Sequence, residues 1–66
     1  MSKKDYMRLR NGVLDLIETL ARSQGFYGRL LRDIKEAEAS GEDMTGFFMQ
    51  FKDCETPVDI ILKIEG

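Results

Sequence analysis

Arg22, Ser23, Gly25, Gly28 and Arg29 fall within the run RSQGFYGR, and each is a type that can serve an anion. A helix N-terminus offers free backbone N–H groups and the positive end of its dipole. A serine hydroxyl adds a donor, glycines let an anion approach the backbone, and flanking arginines supply charge. No strand leads into the run, and the glycine-rich patterns of nucleotide-binding loops are missing. Phe26 and Tyr27 between the glycines are bulky for a cradle. The same run also fits a helix junction. Ser23 then caps the second helix, Gly25 allows the turn, Gly28 lets a neighbouring helix approach, and Phe26 docks with Leu30 on the first helix.

A DNA-reading turn is a third use of these residues. Ala21 and Gly25 hold the offset of a helix-turn-helix, and Phe26, Leu31 and Ile34 fall at packing positions. Arg22, Tyr27, Arg29 and Arg32 are then the candidate contacts with nucleic acid or another anionic partner. Gly28 weakens such a recognition helix, and Asp33 and Glu36 repel a phosphate backbone. The net charge of −2 also opposes the electrostatic attraction that supplies most non-specific DNA affinity.

Other chemistry is thinly served. The chain has no histidine and one cysteine, Cys54, so the usual zinc sites and histidine-assisted nucleophiles are not expected. Paired acids such as Glu42-Asp43 sit where a helix start favours negative charge. The remaining carboxylates lie mostly opposite the apolar stripes. Cys54 has only Lys52 as a basic neighbour that could activate it. These residues predict a protein that is not an enzyme, with no catalytic residues, no cofactor and no metal.

The elements that position these residues read as helices. Ser2 and Asp5 have capping-box spacing. Tyr6, Leu9, Val13, Leu16 and Leu20 then recur at three- and four-residue steps, which predicts a helix over 3–22. Asn11-Gly12 marks a possible kink. Phe26, Leu30, Ile34 and Ala37 predict a second helix over 24–39, closed by Ser40-Gly41. Met44, Phe47, Phe48 and Phe51 predict a short third helix over 43–53. Thr56-Pro57-Val58-Asp59 is a helix start. The following VDIILKIE fits a helix face, and its alternation fits a strand as well. The expected architecture is all-α, one domain over residues 1–66, a compact bundle of about four helices with the last segment helix or strand.

The last segment carries Val58, Ile60, Ile61, Leu62 and Ile64, more apolar surface than a 66-residue chain covers easily. Ile60, Ile61 and Ile64 are the candidate apolar interface for a protein partner or a second copy. Charge is split along the chain: eight cations against four anions in residues 1–35, two against eight in 36–66. The two halves can attract each other within the bundle, or the first can face an anionic partner. No apolar leader segment opens the sequence, and no apolar run approaches a membrane span. The expectation is a cytoplasmic protein without membrane contact.

The stretch LARSQGFYGRLLRDI is followed by a short acidic linker and a Phe-rich segment. Over residues 20–34 it resembles small uncharacterised all-helical accessory proteins of prophages and mobile elements of Gram-positive bacteria. The resemblance implies an accessory protein of a bacterial cytoplasm and assigns no activity to a residue. Together these features predict a non-enzymatic helical protein-interaction module of unidentified partner. The alternative is a small helix-turn-helix-like DNA-binding regulator using residues 14–34.

Overall fold

The computed structural model describes residues 2–66. Four helices follow one another: α1 (Lys3–Ala21), α2 (Gly25–Ala39), α3 (Thr45–Met49) and α4 (Pro57–Glu65). No strand occurs among the described residues, so the all-α expectation holds and the strand alternative for the last segment does not.

Local chemistry sets most of the helix ends. At the start of α1 the Ser2 hydroxyl accepts a hydrogen bond from the Asp5 N–H at 3.2 Å. α1 runs unbroken through Asn11-Gly12, because the apolar stripe keeps its phase there and its packing outweighs the turn preference of the pair. At the end of α2 the Glu42 N–H reaches the Ala37 carbonyl at 3.1 Å and the Gly41 N–H reaches that of Glu38 at 3.0 Å. This pattern needs a left-handed residue after the cap, and Gly41 supplies it with φ of 83°. α4 begins with a complete capping box. Thr56 accepts from the Asp59 N–H, and the Asp59 carboxylate accepts from the Thr56 N–H.

Two expected boundaries are corrected. Ser23 does not cap α2: its hydroxyl donates back to the Leu20 carbonyl at 3.2 Å, finishing α1 instead. Gln24 holds the N-cap position without a side-chain hydrogen bond. The third helix is shorter than 43–53. After Met49 the chain tightens into turns whose N–H groups bond three residues back, from Gln50 to Phe47, Phe51 to Phe48 and Lys52 to Met49.

α1 is the central element. α2, α3 and α4 each lie against it, and none of those three brings its backbone close to another. Val13, Leu14, Ile17 and Leu20 form its buried face and meet Tyr27 and Ile34 of α2, Phe48 and Phe51 of the third segment and Ile60 of α4. The Tyr6 ring meets Phe48 edge-on at 6.0 Å, and Phe47 bridges Phe48 and Phe51 in the same manner.

α1 and α2 run side by side. Arg10 and Glu38 lie about 20 Å of helix before and after the junction, at about 1.5 Å per residue. Arg10 nevertheless grips the Glu38 carboxylate with two N–H groups, Nη2 at 2.9 Å from Oε1 and Nε on Oε2. The helices of a helix-turn-helix cross at about 90–120°, which would hold those residues about 30 Å apart. The pair therefore closes an antiparallel αα-hairpin.

Candidate functional site

The residues singled out around the junction separate in the fold. Arg22, Arg29 and Arg32 are exposed and make no ion pair among the described residues. Tyr27 is not on that surface: it is 1% exposed. The inward line of α2 runs Tyr27, Leu31, Ile34, at helical steps of four and three, with Leu30 beside it. Phe26 lies one residue round the helix, so it stays outside at 58% exposure, its ring edge-on to Tyr27 at 5.1 Å. The inward docking expected of Phe26 belongs to Tyr27. Gly28 does not serve close helix approach either, because a Cβ there would meet no atom within 4 Å.

The Tyr27 hydroxyl is buried with no hydrogen-bond partner among the described residues. Burial pushes its pKa up, and the charge of Glu65 adds to the effect. The phenol stays neutral at physiological pH.

The α4 segment is likewise divided. Ile60 is fully buried and is no interface residue; it is the side chain by which α4 seats on the core. Ile61 and Ile64 are half-buried on the flank of the same inward face. The outward face carries Val58 at 60% and Leu62 at 62% exposure, one turn apart. The Thr56-Pro57 start fixes this phase, because a helix starting at Pro57 that buries Ile60 must turn Val58 and Leu62 away. The five apolar residues spread over several faces of PVDIILKIE masked that direction in the sequence.

A groove of about 240 Å³ runs beside this ridge, lined by Asp53, Cys54, Asp59, Leu62 and Lys63. A second, of about 270 Å³, lies between α1 and the turn at 51–55, and the two meet at Cys54. Burial pushes the Cys54 thiol up, and the Asp59 charge does the same. The thiolate is therefore scarce at neutral pH. Asp59 is held below the usual carboxylate range by the N–H groups of Glu55 and Thr56, each 3.0 Å from its Oδ2. No group of three or more potential metal ligands occurs among the described residues. No described helix is long and apolar enough to cross a membrane.

What the arrangement offers is contact: an apolar ridge on α4 bordered by Asp59 and Lys63 on one side and Glu65 on the other, and a separate patch of arginines around the start of α2. Comparison with protein-family models, with curated proteins and with solved structures finds no match to this chain.

Proposed function

We propose that this chain is a non-enzymatic helical interaction module, a small cytoplasmic accessory protein whose function is binding through the outward face of α4. The observation that carries this reading is the exposed Val58–Leu62 ridge on a helix with five apolar residues in nine. The apolar residues of α4 extend beyond the face that seats on the core, and among the other helices its backbone comes close only to α1. Membership among the accessory proteins of mobile elements, which the resemblance over residues 20–34 implies, accords with a protein that acts by contact.

The alternative, DNA binding through residues 14–34, draws on the exposed Arg22, Arg29 and Arg32, which make no ion pair among the described residues. It loses Tyr27 as a contact, and the antiparallel hairpin offers no projecting recognition helix. The test is one titration of isotope-labelled protein with short mixed-sequence duplex DNA at low and then moderate salt, followed by one with bacterial extract. The interaction reading expects amide shifts on Val58–Glu65 with extract and none with DNA. Shifts on Arg22–Lys35 that fade as salt rises establish the DNA alternative instead.

A further inference from the structure

We infer that the occupant of the α4 face is a second copy of this chain, docked antiparallel about a two-fold axis. This deepens the interaction reading and rests on it. In an isologous contact each residue meets its partner reciprocally, so the patch must be complementary to itself. The α4 face has that property. Val58 and Leu62 stand one turn apart on the ridge. Asp59 and Lys63, of opposite charge, stand one turn apart along one flank.

When two such helices are laid antiparallel, Val58 of one meets Leu62 of the other, twice. The same flank then faces itself in reverse order, which sets Asp59 opposite Lys63 at both ends. A parallel two-fold would set that flank against the opposite one, which carries Ile61 and Glu65, and would form no Asp59–Lys63 pair. The antiparallel register is the one that joins Asp59 to Lys63 at both ends. The Asp59 carboxylate keeps capacity for this: Oδ2 takes the two cap N–H groups, and no hydrogen bond to Oδ1 occurs among the described residues. The adjoining groove, with Asp53 and Cys54 at its far wall, leaves space beside Leu62 for the opposing side chains.

The remaining exposed apolar residues are less suited. Phe26, at 58% exposure, stands among arginines that repel their own copies. Met7 and Met49, at 40% and 36%, are flexible side chains with more of their surface already covered.

Two side chains per copy bury far less than the about 1,200 Å² of a standard stable interface. The dimer is accordingly weak, dissociating at micromolar concentrations or above, and a concentration series is the suitable probe. Sedimentation equilibrium and amide spectra of the whole chain, from about 10 μM to about 1 mM, should show a monomer–dimer equilibrium with shifts confined to α4 and its groove. A sample mixing isotope-labelled and unlabelled chains should give an intermolecular contact between the methyls of Val58 and Leu62. Leu62→Ser should weaken the dimer about tenfold or more. Lys63→Glu sets two acids together at each end and should weaken it at low salt, with less effect at high salt. Both residues are exposed, so each variant should keep the dispersed amide spectrum of the folded chain.

A monomer at every concentration overturns the second copy, as does a dimer whose Val58 methyls meet each other. If the monomer then shows α4 shifts with extract that Leu62→Ser abolishes, the face serves a different protein and only the present inference falls. If neither self-association nor extract moves α4, the interaction reading falls with it.

Discussion

A phenol that folding strips of water without giving it a partner costs stability that a phenyl ring does not. Tyr27 is such a residue, and its hydroxyl is what distinguishes it from Phe26 in this setting. Tyr27→Phe is therefore expected to leave the thermal midpoint unchanged or raise it. A drop of several degrees would mean that the hydroxyl has a partner after all. The variant also removes an alkaline liability. Because the folded pKa is raised above the ordinary value, the Tyr27 contribution is fully present below about pH 10 and is lost as pH rises through the folded value. Sequence periodicity could not choose between Phe26 and Tyr27. Phe26–Leu30–Ile34 and Tyr27–Leu31–Ile34 are both sound helical lines, and only the packing of α1 against α2 selects the second.

The Arg10–Glu38 pair was equally invisible, because its partners lie 28 positions apart. The Arg10 hydrogen bonds hold the Glu38 carboxyl below its ordinary range against the opposing effect of burial. A depressed folded value means stability that is present above the unfolded pKa of about 4.3 and lost as pH falls through the folded one. Glu38→Gln is expected to cost about 0.5–1 kcal/mol at neutral pH. It should also flatten the stability–pH curve below about pH 5, as read from urea midpoints across that range. An unchanged acid limb would show that the pair contributes nothing measurable.

At the scale of the helix, the caps were the most legible feature. Ser2, Gly41 and Thr56-Pro57 each act through a side chain or backbone preference that is local to a few residues, so the sequence alone suffices. Ser23 misled because the stop of α1 and the start of α2 compete for the same three residues, and a serine can satisfy either end. Glycines divide along the same line. Gly28 has helical backbone and open space around its Cβ position, so Gly28→Ala should raise stability by about 0.5–1 kcal/mol. Gly41→Ala should lower it by about 1 kcal/mol or more, because only glycine takes its left-handed conformation cheaply. Denaturant midpoints of the two variants should therefore move in opposite directions. Movement in the same direction would refute the assignment of Gly41 as the cap that ends α2.

For the whole molecule the decisive fact is that three helices share one support. A four-helix bundle in which every helix touches two neighbours can lose one contact and keep the others. Here α2, α3 and α4 each depend on α1, and Ile17 is fully buried at the centre of its inward face. The apolar stripe of α1 made this helix predictable from the sequence, but not its place as the hub, which depends on where the later segments fold back. Total stability for a chain of this length is about 3–10 kcal/mol, and truncating a buried isoleucine to alanine costs about 2–5 kcal/mol. Ile17→Ala should therefore consume most of the available stability and release all three helices together. Circular dichroism should show a largely unfolded or very low-melting chain, in a single cooperative transition rather than in stages. Retention of α2 or α4 amide protection in that variant would show that the helices hold one another independently of α1. The architecture also explains how a chain this small can leave the α4 ridge exposed. With α1 covered on several sides, α4 finds one face to bury and leaves the other exposed.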